Sequence, residues 1–179
     1  MNVVGLDLSL TATGIAAEAG AEVLRTNLRG CERLAWVRDE VMARCCTGGI
    51  GNKRGTDADL VVIEGYAYAR ANQAHQIGEL GGVIRLALHE AGIAYVEAAP
   101  AALKKYATGH GNAGKGEVLA AAIRRLGYPG HDDNEADALW LRYMALDAYG
   151  LLPVNVSIPQ AQREALAKVG WPELGERAA

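Results

Sequence analysis

No apolar run in this 179-residue sequence approaches the roughly 20 residues of a membrane-spanning helix. No charged and then apolar leader precedes the first strand either; Met1 runs straight into it, so a cytoplasmic protein is expected. Cysteine is scarce. Cys31, Cys45 and Cys46 are odd in number and two are adjacent, which fits neither a disulfide framework nor a C-x-x-C zinc site. They read as free thiols of a reducing compartment. Internal repeats and low-complexity segments are also absent, and the net charge of −3 does not advertise nucleic-acid binding.

What is present is 50% hydrophobic and 22% charged, the balance of a globular domain with a real core. Residues 1–150 read as that domain and residues 151–179 as a C-terminal extension with one weak helix, Gln160 to Lys168. The charge is unevenly spread. Between Ala98 and Gly130, Lys104, Lys105, Lys115, Arg124 and Arg125 face only Glu117. Such an excess makes either a solvated helix face or a phosphate-facing patch.

Asn2 to Leu8 reads as a buried strand, with Gly14 to Glu18 and Ala21 to Leu28 completing an antiparallel meander. Leu34, Val37, Val41 and Cys45 give the segment Arg33 to Cys46 one apolar helical face. After a Gly-rich loop comes Asp59 to Glu64, apolar on both faces and so predicted at the centre of a helix-covered sheet. Ala71 to Ala91 is a long helix, Ile93 to Glu97 a fifth strand, and Pro100 to Tyr106, Lys115 to Leu126 and Asp132 to Tyr149 are further helices. The order predicts an α/β fold with a five-stranded mixed sheet, three strands antiparallel and two parallel. Gly78, Gly81 and Gly82 in the long helix each cost about 1 kcal/mol relative to alanine, so something should approach its backbone closely, either a crossing helix of the same chain or a second subunit.

Two strands carry a carboxylate where only core residues are expected, Asp7 and Glu64. An isolated buried charge is very costly, so both need a partner. If the two strands lie parallel and adjacent, the carboxylates sit side by side and repel without a cation. On the last helix Asp133 and Asp137 are four apart and Asn134 and Asp137 three apart, so either pair shares a face that could point at them. Converging oxygen ligands suit magnesium, and two such ions about 3.5–4 Å apart suit phosphodiester cleavage. Asp132, followed by Glu135, reads instead as a helix cap in a capping box. The loop Gly109 to Lys115 has the spacing of a phosphate-binding loop, but Gly116 stands where Ser or Thr must hold magnesium.

Four segments in register, GLDLSLTATG, the strand end IEG, TGHGNAGK and NEADAL, resemble the RuvC family of Holliday-junction resolvases in the RNase H-like superfamily. The resemblance covers about Val3 to Tyr149. It implies an RNase H-like fold and a homodimer, formed through the Ala71 to Ala91 helix, that nicks four-way DNA junctions using Mg²⁺ or Mn²⁺, with two ions. It carries catalysis to Asp7, Glu64 and Asp137, and matches Lys115 to the basic residue near the scissile phosphate. The fourth ligand position falls on Asn134, a departure from the usual acidic residue or histidine, with Asp133 as the available substitute. An aromatic wedge is implied after the second carboxylate. Phenylalanine is absent, so Tyr66 and Tyr68, followed by Arg70, would contact DNA together with Lys104, Lys105 and Lys115. Forks and flaps are further substrates the resemblance allows. A non-catalytic branched-DNA-binding protein and an actin-like phosphotransferase fragment are the competing readings.

Overall fold

The computed structural model describes residues 1–46, 57–65 and 74–174. Its strands are β1 (Val3–Asp7), β2 (Ala12–Ala17), β3 (Gly20–Arg25), β4 (Leu60–Glu64) and β5 (Ala94–Ala98). The helices are α1 (Gly30–Cys45), α2 (Ala74–Glu90), α3 (Pro100–Thr108), α4 (Lys115–Leu126), α5 (Asp133–Ala148) and the short α6 (Gln160–Arg163), which continues as a 3₁₀ turn, Glu164–Lys168. One five-stranded sheet runs in the order β3-β2-β1-β4-β5. β1, β2 and β3 pair antiparallel, while β4 is parallel to both β1 and β5. The expected mixed sheet is the one observed.

Strand periodicity explains the two cores. Val4 and Leu6 of β1 and Val61 and Ile63 of β4 point to one face, where they pack with Val37 and Val41 of α1 and Leu80, Ile84 and Leu88 of α2. Val3, Leu60 and Val62 point to the other, against α3, α4 and α5. Counting on by two, Asp7 and Glu64 fall on this second face. The register Val3–Leu60 to Leu6–Ile63 then brings them level with each other, one step further along.

Helix α5 is the centre of that face and is buried on several sides, through Ala138, Leu139, Trp140, Leu141, Met144 and Ala145 among others. Trp140 fills the space under α4, donating its indole N–H to the Val118 carbonyl at 3.2 Å and meeting the Tyr106 ring edge-on at 5.8 Å. Beyond residue 150 the chain stays on the same core: Val156, Ile158, Ala165 and Val169 are all buried there. The buried Asp147 carboxylate accepts from the Tyr106 hydroxyl at 3.0 Å and pairs with Arg163 at 2.6 Å, tying α3, α5 and this last segment together.

The expected close approach to the α2 glycines is not made by any described residue at two of the three. A Cβ built on Gly78 or Gly82 would meet nothing within 4 Å among the described residues. Among the described residues no helix is long and apolar enough to cross a membrane.

Candidate metal centre

The strand ends and α5 bring three carboxylates together. Asp7, Glu64 and Asp137 each offer an oxygen within 4.8 Å of the others. Asp7 is 8% exposed and the other two are half-buried. What makes this approach physically open is the absence of two side chains. A Cβ on Gly5 would lie 2.0 Å from the Ala138 carbonyl oxygen, and one on Gly14 would lie 2.1 Å from that of Asn134. Both distances are far inside van der Waals contact, so α5 rests its backbone directly on β1 and β2. Asp137, one residue before Ala138 and three after Asn134, is delivered over Asp7 by that seating.

The electrostatics follow from the crowding. Burial drives the Asp7 carboxyl well above the usual range, and the charge of Glu64, with which it shares a hydrogen bond, drives it further. Glu64 is also raised by burial, an effect the bond to Asp7 opposes and the charge of Asp137 reinforces. Burial and then the charge of Asp7 push Asp137 up to about 7. Lys115 and Lys104 are the basic residues that pull Asp137 the other way. Three hard oxygen donors that resist carrying charge together are the donor set a divalent cation stabilises, and these residues could hold one.

The remaining expected site residues are distributed around the cluster. The Lys115 ammonium is hydrogen-bonded to the Asp133 carboxylate, which raises its pKa and takes Asp133 into an ion pair. Asn134 stands at the seat on β2, with its backbone N–H bonded to Asp132 at 2.9 Å. Lys104 lies close enough to lower the pKa of Glu64 and Asp137 through its charge, whereas Lys105 turns to Glu164 at 2.9 Å. Tyr66, Tyr68 and Arg70, and the start of the expected Ala71 to Ala91 helix, lie outside the described residues.

Asp132 caps α5, accepting from the N–H groups of Asn134 and Glu135. Burial works against its charge, but these bonds and the Arg25 guanidinium at 2.5 Å outweigh it and hold the carboxyl below its ordinary value. The expected capping box closes only on this side. Glu135 accepts from the Tyr128 hydroxyl at 2.5 Å, and that same hydroxyl accepts from the Asp132 N–H at 3.3 Å, so a tyrosine is inserted where Glu135 would reach back. Sequence reasoning missed Gly5 and Gly14. Their signal was glycine inside apolar strands, which marks a close backbone approach.

Fold and cluster together define an RNase H-like domain with an acidic cluster on its sheet that could hold a metal ion. No protein-family model matches the chain. It is 32% identical over 119 residues to the crossover junction endodeoxyribonuclease RuvC of Sorangium cellulosum, covering 63% of this chain and 66% of that protein. With the RuvC of Synechococcus sp. strain WH7803 it shares 34% identity over 88 residues, covering 48% of this chain and 57% of the relative. The strain CC9311 protein gives 35% over 83 residues, 45% of this chain and 52% of the relative. The chain thus matches between about half and two thirds of the length of these curated relatives. Two solved structures share the fold. Thermus thermophilus RuvC aligns with a TM-score of 0.63 at 24% identity over 89% of this chain and all of its own. The T. thermophilus RuvC in complex with a Holliday junction substrate gives 0.62 at 22%, covering 89% of this chain and 99% of that one. The chain belongs to the RuvC-like family.

Gly14→Ala must displace α5 and should cost about 1–3 kcal/mol in urea denaturation, as overpacking does, while abolishing the metal response described next. Because the clustered carboxyls hold protons more tightly folded than unfolded, their contribution to stability is complete below the ordinary aspartate value of 3.8 and is lost as pH rises through about 7. A bound cation replaces the protons. Mg²⁺ or Mn²⁺ at about 100 times its Kd should therefore raise Tm by roughly 5–10 °C at pH 8, and clearly less at pH 5. Asp7→Asn should raise the metal-free Tm at pH 8 and erase the metal shift; an equal shift at both pH values would contradict the assignment.

Proposed function

We propose that the chain is a divalent-metal-dependent, structure-selective endonuclease that cleaves four-way DNA junctions and works as a homodimer. The observation that carries this reading is the convergence of Asp7, Glu64 and Asp137 at one end of the sheet. A family whose curated members are named crossover junction endodeoxyribonucleases supports the junction as substrate. The reaction is hydrolysis: a water oxygen bonds to phosphorus, the P–O3′ bond breaks, and the proton lost by water leaves on the 3′ oxygen or to solvent.

Each residue has a role in this scheme. Asp7, Glu64 and Asp137 hold Mg²⁺ or Mn²⁺, with two ions as the proposed complement; metal bound there supplies activation of water and charge neutralisation at the phosphate. Lys115, at the start of α4 and already beside the carboxylates, binds the scissile phosphate and offsets its developing charge. Lys104 adds positive potential at the same place. Asn134 completes the ligand set as a neutral amide, with Asp133 orienting Lys115 through their ion pair. Tyr66, Tyr68 and Arg70 are proposed to contact the unpaired bases of the junction. The protein is proposed to act in the cytoplasm, with residues 151–179 an extension of the nuclease domain.

The proposed dimer uses α2. Gly78, Gly82 and Leu86 follow one another at intervals of four on one helical face; among the described residues the glycines face open space, and Leu86 is 57% exposed. Glycines at this cost in helix stability are accounted for by a second α2 packed against them.

On labelled four-way junction, fork and linear duplex with Mg²⁺, the wild type should cut the junction best. Glu64→Gln should reduce cleavage by roughly a hundredfold or more, since even outer-shell partners of metal ligands cost 10–100-fold, and should keep junction binding. Equal cutting of linear duplex would rule out junction selectivity, and loss of binding together with cleavage would make Glu64 structural. In sedimentation, the wild type should run as a dimer and Gly82→Glu as a folded monomer, because the new side chain has room among the described residues and none at a helix–helix contact. A variant that remains dimeric would move the interface elsewhere.

A further inference from the structure

We propose that the cavity between α3 and α4 is an anion pocket that receives a phosphate group, gripped by Arg124 and Arg125. The cavity has a volume of about 360 Å³ and is bounded by the end of α3, the loop after it and one face of α4. Its wall on α4 includes Gly116 and Ala120, residues too small to fill it.

Among the described residues neither arginine beside it is paired with a carboxylate. Arg25, Arg44 and Arg163 each pair with a carboxylate. Arg124 is exposed and has no hydrogen-bond or ion-pair partner among the described residues. Arg125 donates to the side-chain oxygen of Gln162 at 2.5 Å. Gln162 is 6% exposed and neutral, so it orients the guanidinium without cancelling its charge. The acid on this wall, Glu117, is turned to the helix start, where it accepts from the Gly114 N–H at 2.7 Å. Two guanidiniums beside open space, one free and one held by an amide, are planar forks suited to the oxygens of a phosphate. Thr108 and His110 form the rim.

This pocket is separate from the carboxylate centre. Arg124 follows Lys115 by nine residues, about two and a half helical turns, and so lies on the opposite side of α4. The group it takes is not the phosphate being cut. Its ligand is either a more distant backbone phosphate of the DNA, which rests on the nuclease reading, or a free phosphate-bearing molecule, which does not. Residues near the chain's end acquire a part in binding through Gln162.

The full chain is compared with Arg124→Gln and Arg125→Gln in two measurements. In the first, inorganic phosphate is exchanged for chloride at constant ionic strength, and a wild-type Tm increase of about 2–4 °C, lost in both variants, is expected for a site filled to several times its Kd. In the second, four-way junction is bound without divalent metal at varied salt, and Arg124→Gln should flatten the slope of log K against log salt by about one unit. A thermal response alone assigns the pocket to a free phosphate compound, and a slope change alone assigns it to DNA backbone. Wild-type behaviour of both variants in both measurements would overturn the pocket. Failure of the wild type to prefer junction over linear duplex would remove the junction-selective reading, and the thermal measurement would still decide the pocket.

Discussion

Everything at the centre of this molecule depends on one steric constraint: α5 lies on β1 and β2 with no side chain between them. Gly5 and Gly14 leave 2.0 and 2.1 Å where a Cβ would sit, so any other residue at either position would lift the helix. The seating fixes both the height and the register of α5. On its lower side it sets Asp137 beside Asp7, and on its upper sides it leaves a layer that Trp140, Leu141 and Met144 fill against α3 and α4. Packing and site geometry therefore share a cause. A core that cannot shift holds carboxylates that repel.

That repulsion is the second organising force. Three carboxylates are pressed together by a fold that gains its stability from apolar burial elsewhere on the same helix, and each is raised by burial before its neighbours add to the effect. Local free energy is sacrificed for a site, and the surrounding core offsets the loss. The cations nearby soften the penalty without removing it. Lys115 is drawn in by Asp133, and Lys104 acts at longer range through its charge. A divalent ion held there would offset the repulsion.

The five basic residues between Ala98 and Gly130 show how a charge count divides once the chain is folded. Lys115 and Lys104 act on the carboxylate cluster through their charge, Lys105 bonds to Glu164, and Arg125 to Gln162. Arg124 faces solvent. The segment after residue 150 takes part in several of these contacts and, through Arg163 and Asp147, is joined to the core.

Much of the fold was legible before folding was considered. Short apolar runs marked β1 and β4, their terminal carboxylates announced a site, and Asp132 announced the start of α5, because these signals are local: a strand's extent and a helix's cap are set by residues a few positions apart. Helix bounds shifted by only a few residues, as frayed ends do. Three things were not legible. Gly5 and Gly14 as seats for α5, Asp133 as the partner of Lys115 and Tyr128 as the interloper in the capping box all depend on which residues stand opposite one another across long stretches of chain. The sequence by itself determined which residues could carry the chemistry and which face of each element they occupied. Only the tertiary structure decided which of them meet, because contact between β1, β4 and α5 is set by sheet register and by the space two missing side chains leave.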